Sequence, residues 1–312
     1  MKTLGVLLII LTGIMSVGCS QSNIADSTNA IQIKNQRFVD KEERTIIWNG
    51  LNLVEKDPSK GYIQAEDETN FKQFRLWGIN CIRYGIHWDG LEPEPGQINE
   101  TFLRELDKRV QWARENDLYL ILDMHQDLYG RKFDNGAPIW ATLDEGLPHL
   151  EGTVWSDAYL ISPAVQKSFD NFWQNTAATD GMGVQDHYIN VWKVLAKRYA
   201  DSTSVVGFDI MNEPFMGSKA PLVLQRLLEG LGGYLAQVTQ RAPTEEELQS
   251  ILLDEKKRTE ALSLLDDSKV FKGILEHAQK EVNLFEENQL SEFYQKVRDA
   301  IRSTGSKQIL FL

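Results

Sequence analysis

Apolar runs of strand length alternate with segments of helical period along most of this 312-residue chain. The segments 68–76 and 100–115 have the helical period, and each stands between two apolar runs. Strands that alternate with helices indicate a parallel sheet with helices outside it, as in an α/β barrel or a doubly wound sheet. The predicted strands are 45–53, 81–88, 118–126, 205–210 and 307–312.

Two long segments interrupt this alternation. Residues 127–187, which we call the wall segment, are rich in Gly, Pro, Asp and Trp and far exceed an ordinary strand-to-helix loop. Such length predicts a wall or lid that faces a substrate. Residues 243–302 mix Glu and Lys at helical period, which predicts a solvated helical excursion without chemistry.

Polar residues gather at the ends of the predicted strands. In parallel α/β barrels the chemistry lies at the carboxyl ends of the strands, so these side chains are the candidates for a site. The chain has no GxGxxG and no GxxxxGK[ST] pattern, which argues against the nucleotide-binding α/β folds. The strand-end residues are Arg83, His87, Asp123, His125, Asp127, Asn212 and Glu213.

The stretch VVGFDIMNEP (205–214) ends a buried strand on a carboxylate. Pro214 removes a backbone donor and is expected to hold Glu213 extended, so sheet pairing stops there. If Glu213 is buried, its charged form is disfavoured, its pKa rises, and it can keep a proton near neutral pH. A protonated carboxyl of this kind is a candidate general acid. The alternative is a structural Glu paired with a neighbouring Lys or Arg.

A second alternative concerns three residues of the third predicted strand. Asp123, His125 and Asp127 share one strand face by the two-residue alternation, and such a set invites a metal-site hypothesis. The chain has five histidines but no HxH or HExxH spacing. A metal site would also leave the Asn-Glu-Pro terminus unexplained. We therefore predict no metal and no other cofactor.

The N-terminal residues are typical of an export signal. One Lys, an apolar run and small residues precede Cys19, and Ser16 to Cys19 is similar to a lipobox whose cysteine is lipidated. The alternative is an ordinary secretory signal. The predicted organisation is a lipoprotein-type signal at 1–18, a polar tether at 19–36 and the barrel segment at 37–312. The protein is then exported and is either lipid-anchored at the membrane or cell surface or secreted.

Charge and cysteine content add two constraints. The net charge of −12, without a basic stripe, argues against nucleic acid as a partner. Cys81 opens an apolar strand and is predicted to be a buried structural thiol, so the chain has neither a disulfide framework nor a CxxC metal site.

Taken together, the motifs resemble those of family 5 glycoside hydrolases and, more narrowly, of endoglycoceramidases. The resemblance runs from Trp48 to about Gly217. The stretches that carry it are WNGLNLVEK (48–56), LWGINCIRYGIHWDGLEPEPG (76–96), LDMHQDLYG (122–130), GAPIWAT (136–142), WSDAYL (155–160), FWQNT (172–176), DGMGVQDHY (180–188) and VVGFDIMNEP.

The resemblance implies a (β/α)8 TIM barrel, hydrolysis with retention of configuration, and no metal. It implies that Glu213 is the general acid/base and that Asn212 contacts the hydroxyl beside the anomeric carbon. It further implies that Arg83 supports the nucleophile and that His125 lines the subsite of the reacting sugar. The remaining implied sugar or lipid contacts are Asp127, Lys56, Trp140 and Trp155.

A retaining glycosidase needs a second carboxyl, about 5–5.5 Å from the first. The resemblance places this nucleophile on a seventh strand, whereas Leu312 lies in the fifth predicted strand, so about five of eight barrel strands are expected. We therefore expect a truncated product that hydrolyses nothing efficiently by itself. The predicted substrate is the β-linkage between oligosaccharide and ceramide. The alternatives are a cellulase-like β-glycosidase and a non-catalytic, glycan-binding surface lipoprotein.

Overall fold

The computed structural model describes residues 31–312, apart from the side chains of residues 249, 252 and 253. Its centre is a parallel sheet of five strands in the order β3-β4-β5-β6-β7, so strands adjacent in sequence are adjacent in space. A separate antiparallel hairpin, β1-β2, precedes the sheet. The strands are β1 (Gln32–Lys34), β2 (Arg37–Val39), β3 (Gly50–Leu53), β4 (Cys81–Ile86), β5 (Tyr119–Met124), β6 (Val205–Asp209) and β7 (Ile309–Phe311).

Helices follow or connect the strands, and α1 to α6 together with α11 supply apolar residues to the main core. A capping box formed by Asp67 and Asn70 starts α1, and Asn99 caps α3. The helices are α1 (Glu68–Leu76), α2 (Trp88–Leu91), α3 (Glu100–Glu115), α4 (Ala158–Ile161), α5 (Pro163–Trp173), α6 (Val184–Arg198), α7 (Ala220–Thr239), α8 (Glu245–Leu253), α9 (Glu255–Ser263), α10 (Ser268–Leu284) and α11 (Ser291–Ser303), with a π-helical turn over Phe285–Leu290.

All five predicted strands are present, but each is shorter than its apolar run. The first begins at Gly50 rather than at residue 45, because side chains satisfy the backbone before it: the Asn49 amide donates to Asn80 Oδ1 at 2.8 Å. The second ends at Ile86 because the His87 carbonyl accepts from the Leu91 amide in α2. Cys81 is buried, and burial raises the pKa of its thiol to about 12, as expected of a structural cysteine.

The predicted polar tether overlaps the first hairpin. Gln32–Lys34 pairs with Arg37–Val39 through a turn in which Asn35 and Gln36 have φ of 49° and 60°. Phe38 packs on Phe311 of β7, with ring centroids 6.1 Å apart, so the hairpin belongs to the folded body. The expectation of a tether to residue 36 is wrong for this part. The predicted signal, Cys19 and the rest of the tether lie outside the described residues.

The two long segments also differ from their predictions. The wall segment contains helices α4 and α5 and the start of α6, so it is not an irregular loop. The helical excursion starts earlier than residue 243, at Ala220. Its end is not solvated, because α11 buries Phe293, Val297 and Ile301 against the core, as a barrel helix does. We call residues 220–284, which form α7 to α10, the outer helical segment.

Within the described residues the sheet does not close. β3 pairs only with β4, and β7 pairs only with β6. A cleft of about 1330 Å³ opens beside β6 and β7, and its lining includes Arg83, Asp209, Asn212 and Glu213. No helix in residues 31–312 is both long and apolar enough to span a bilayer.

Candidate active site

Arg83, on β4, is the centre of a polar network at the sheet's carboxyl end. Its Nε donates to Asp209 Oδ2 at 2.8 Å, and its terminal nitrogens reach Asp123 Oδ2 at 2.8 Å, Asn212 Oδ1 at 3.0 Å and Asn52 Oδ1 at 3.2 Å. A guanidinium has five donors in a fixed fork, which suits one side chain that ties together several strands. Arg83 therefore fixes the positions of β3, β5, β6 and the turn after β6.

His125 lies between two carboxylates just after β5. Its Nδ1 is 2.8 Å from Asp123 Oδ2, and its Nε2 is 3.5 Å from Asp127 Oδ2. Burial by itself lowers the pKa of His125, but the interactions with Asp123 and Asp127 outweigh burial and leave the pKa above its ordinary value. The pKa of fully buried Asp123 is raised, chiefly by burial, although His125 and Arg83 offset part of the rise. The geometry favours a positively charged imidazole.

Asp127 is bound by Lys56 and Asn135 and lies near the His125 ring. Lys56 Nζ lies 2.6 Å from Asp127 Oδ2, and Asn135 Nδ2 donates to the same oxygen at 2.8 Å. Burial acts to raise the pKa of Asp127, but His125, Lys56 and Asn135 outweigh it and hold the pKa far below its usual range. Lys56 also sits 5.8 Å from the ring centroid of the half-exposed Trp155. The structure thus brings together four of the predicted residues, namely Lys56, His125, Asp127 and Trp155.

His87 is linked through Asn135 to the cluster of Lys56, His125, Asp127 and Trp155, which we call the Lys56 cluster. It is fully buried, stacks on Tyr62 with ring centroids 4.5 Å apart, and bonds through Nε2 to Asn135 Oδ1 at 3.1 Å. Burial, aided by the charge of His125, lowers the pKa of His87 to about 3. His87 is therefore a neutral ring that orients Asn135 toward Asp127.

Glu213 departs from the expected environment. Its side chain is exposed at the cleft, and its backbone φ of 45° lies in the left-handed region instead of the extended region that Pro214 favours. The strand ends at Asp209, and the chain turns before Glu213 instead of continuing into the interior. The expected burial of Glu213 is therefore not observed. Within the described residues the carboxylate has no hydrogen-bond or ion-pair partner, so it is free to meet a ligand.

Asn212 and Glu213 are held from one side by a side chain that the sequence reasoning missed. Gln126 Nε2 donates to the carbonyls of both residues, at 2.8 and 3.0 Å. In return Asn212 Nδ2 donates to the Gln126 carbonyl at 3.1 Å. Gln126 stands between His125 and Asp127 in the MHQD stretch, so the two-residue alternation that marked its neighbours did not include it.

Trp140 is separate from the Lys56 cluster. Its Nε1 donates to the Glu92 carbonyl at 3.1 Å, and its ring packs edge-on against Trp88 and His187 at 5.5 and 4.7 Å. Through these contacts Trp140 packs within the wall segment. Asp209 was also missed as a site residue, although it stands in the same VVGFDIMNEP stretch as Glu213. The structure describes no group of three His, Cys, Asp or Glu residues arranged to hold a metal ion in residues 31–312.

Comparison with known proteins decides the family. The sequence profile described as Cellulase (glycosyl hydrolase family 5) matches residues 39–312. The chain belongs to glycosyl hydrolase family 5. The predicted α/β fold, a TIM barrel that is incomplete here, is confirmed by the parallel five-stranded sheet together with this membership.

Individual relatives narrow the similarity. The chain is 29% identical to an endoglycoceramidase of Cyanea nozakii over 236 residues, which are 66% of this chain and 46% of the relative. It is 29% identical to endoglycoceramidase I of Rhodococcus hoagii (strain 103S) over 199 residues, which are 62% of this chain and 39% of the relative. Among solved structures, the lactosyl-enzyme intermediate of endo-glycoceramidase II from Rhodococcus sp. matches with a TM-score of 0.60 and 26% identity, covering 87% of this chain and 50% of that one. The chain therefore spans about half the length, or less, of these relatives.

Proposed function

We propose that this family 5 chain carries the acid/base half of a retaining glycosidase that cleaves the β-linkage between an oligosaccharide and ceramide. The observation that carries the proposal is the exposed Glu213 carboxyl at the cleft, set beside Asn212 and Arg83. The similarity to endoglycoceramidases supports the substrate class.

The proposed chemistry uses Glu213 twice. In its protonated form it gives its proton to the glycosidic oxygen while the bond from that oxygen to the anomeric carbon breaks, and ceramide leaves as an alcohol. A second carboxylate attacks the anomeric carbon and forms a covalent glycosyl-enzyme. Glu213, now deprotonated, takes a proton from water, and that water displaces the second carboxylate. The relative captured as a lactosyl-enzyme intermediate supports a covalent route.

The nucleophile is not assigned among the described residues. The two carboxylates at the adjacent strand ends, Asp123 and Asp209, are both bound by Arg83 and are therefore occupied. A carboxyl at about 5–5.5 Å from Glu213 is required for retention. We propose that it comes from outside the five described strands, on the open side of the sheet where Glu213 faces the cleft.

The other site residues have proposed binding roles. Asn212 offers its amide to the hydroxyl beside the anomeric carbon, and Lys56, His125 and Asp127 form a charged rim that suits hydroxyl groups of a sugar. Trp155, half-exposed next to Lys56, offers an apolar face for a sugar ring or for lipid. Trp140, in contrast, packs within the wall segment and has no proposed contact with substrate.

The test is release of free oligosaccharide from a glycosphingolipid, followed by thin-layer chromatography, using the product of the complete reading frame that contains these residues. Glu213→Gln keeps the shape of the side chain but cannot transfer a proton, and we expect a loss of about 10³-fold in rate. Glu94→Gln, at another exposed carboxylate in the β4-to-α3 connection, is the matched control and should leave the rate unchanged. Full activity of Glu213→Gln would overturn the proposal.

A cellulase-like specificity is the second candidate, because the matching family profile carries that description. Hydrolysis of a soluble β-glucan without release from the glycosphingolipid would favour it. Binding of the glycan without cleavage of either substrate would favour the non-catalytic glycan-binding lipoprotein.

We also propose export with lipid anchoring through Cys19, on the lipobox-like Ser16 to Cys19 stretch alone. Metabolic labelling with a radioactive fatty acid in a bacterial host tests this. Incorporation that disappears in Cys19→Ser supports the anchor, and unchanged incorporation or none in the parent chain contradicts it.

A further inference from the structure

We infer that Gln126 is a positioning residue for the proposed acid/base: its carboxamide fixes the Asn212–Glu213 turn and ties that turn to the start of the wall segment. The inference rests on the proposed function of Glu213. It concerns a side chain that touches no reacting atom and acts only through the backbone of two site residues.

The carboxamide is used at both ends. Its Nε2 donates to the Asn212 and Glu213 carbonyls at 2.8 and 3.0 Å, while its Oε1 accepts from the Tyr129 amide at 2.7 Å. Only Asn and Gln carry two N–H donors and a carbonyl acceptor on one planar group. Asn is one carbon shorter, and Glu would present a carboxylate oxygen to two carbonyl oxygens.

Both turns that Gln126 holds are in unfavourable backbone conformations. Glu213 has φ of 45°, and Leu128 and Tyr129 have φ of 51° and 80°. Bulky residues with positive φ cost energy and persist only where the surroundings hold them. Removing the carboxamide therefore releases the Glu213 turn toward the extended conformation that Pro214 favours, and this change moves the carboxyl.

The site around Gln126 is built to seat this side chain. Gln126 is only 6% exposed, and Gly136, with φ of 123°, faces it so closely that an added Cβ would lie 2.4 Å from Gln126 Cβ. The turn at Leu128 and Tyr129 is held by a second hydrogen bond, in which the Leu128 amide donates to the Tyr159 hydroxyl at 3.0 Å. The turn that carries Glu213 thus receives two hydrogen bonds from a side chain that is itself held in place.

The test separates proton donation from overall folding by the choice of leaving group. A dinitrophenyl glycoside leaves without protonation, whereas the ceramide alkoxide needs a proton from the acid. With the product of the complete reading frame, we expect Gln126→Glu to lower kcat/KM for glycosphingolipid by about 10²-fold and to leave kcat/KM for the dinitrophenyl glycoside, which reports formation of the glycosyl-enzyme, within about threefold. Glu213→Gln should show the same split with a larger loss.

Gln64→Glu is the matched control. Gln64 is 4% exposed, and its Nε2 also donates to two backbone carbonyls, those of Leu53 and Gly85, both at 3.1 Å. The same substitution there removes the same kind of hydrogen bonds but touches no residue of the Glu213 turn. We expect Gln64→Glu to change kcat/KM for the two substrates by the same factor.

The outcomes separate the inference from the proposed function. If Glu213→Gln slows hydrolysis of the glycosphingolipid selectively and Gln126→Glu does not, the inference is wrong and the proposed function is unaffected. Absence of a split in Glu213→Gln, or no hydrolysis of either substrate by the parent, overturns both. Gln126→Met, which keeps the length of the side chain without donors, is the second variant and should show the split too. If both Gln126 variants fail to fold while Gln64→Glu folds, the role is structural and the inference is wrong.

Discussion

The wall segment and the outer helical segment are both long insertions that follow a strand of the sheet, yet they are built differently. The wall segment inserts Leu128, Tyr129 and Phe172 into the main core, and each is at most 4% exposed. In the outer helical segment α7 packs mainly on α10, and its charges pair at the surface, as in Arg226 with Glu229. The wall segment is part of the main core, and the outer helical segment packs on the outside of it.

The difference shows where a site can form. The wall segment places Asp127 and Asn135 against strand-end residues, because buried side chains fix its backbone at Leu128 and Tyr129. Among its described side chains, the outer helical segment has no hydrogen bond of this kind to the strand ends, and its solvated ion pairs can rearrange at little cost. Length alone did not separate the two, whereas the Trp and Gly content of the wall segment did.

The largest expected effect is on stability and contrasts two phenylalanines. Phe172 in α5 is 1% exposed and packs on Trp88, Tyr188 and Phe293, whereas Phe271 in α10 is 44% exposed. We expect Phe172→Ala to lower the free energy of unfolding by about 3–5 kcal/mol and Phe271→Ala by less than about 1 kcal/mol. Urea denaturation followed by tryptophan fluorescence measures both. Equal losses would mean that the outer helical segment is as well packed as the wall segment.

The next effect concerns the charge that the wall segment adds to the site. Asp127→Asn removes one of the two carboxylates that raise the pKa of His125, so that pKa should fall. The His125 ring protons, followed by NMR against pH, measure it. Asp107→Asn, which breaks the ion pair between α3 and Arg198 of α6, is the control and should leave the His125 titration unchanged.

The same shift predicts a pH dependence of stability. The folded-state pKa of His125 lies above its unfolded value, so its contribution is complete below the unfolded pKa and is lost as pH rises through the folded pKa. Part of the difference in unfolding free energy between the parent and Asp127→Asn comes from His125. This part should therefore shrink as pH rises through the folded-state pKa of His125. A His125 contribution that grew with rising pH would contradict the sign.

The smallest effect is expected in the outer helical segment. Arg241 pairs with Glu247 at 2.7 Å, and the two side chains are 63% and 47% exposed. Arg241→Gln should leave the urea midpoint unchanged within error, because solvent and salt screen such pairs. A clear loss of stability would show that this segment is held more tightly than its exposure indicates.

The fold and half of the site could be predicted from the sequence, for physical reasons. Strands in a parallel sheet are buried on both faces, so their apolar runs stand out, and the polar residues that end them must share one edge. Arg83, His125, Asp127 and Lys56 were identified in this way or by resemblance. The exposure of Glu213 was not predictable, because it depends on a positive-φ turn that Pro214 disfavours and that Gln126 holds from another strand.

Two further errors have the same origin. The N-terminal hairpin was assigned to a tether because its short strands carry few apolar residues, and its docking depends on Phe38 meeting Phe311 at the far end of the described chain. Helix α11 was assigned to a solvated excursion because Glu and Lys dominate its surroundings, although its buried stripe of Phe293, Val297 and Ile301 repeats at helical spacing. Local composition did not reveal which partner each element would meet.

The most direct measurement of the central claim is azide rescue of Glu213→Ala in the product of the complete reading frame, with a dinitrophenyl glycoside as substrate. If Glu213 is the acid/base, its removal slows turnover of the glycosyl-enzyme, and azide, which needs no deprotonation, restores the rate. We expect such reactivation, with a β-glycosyl azide as product, from an acid/base role of Glu213. Failure of azide to raise the rate of a slowed variant, or a rate that does not fall when Glu213 is removed, would contradict it.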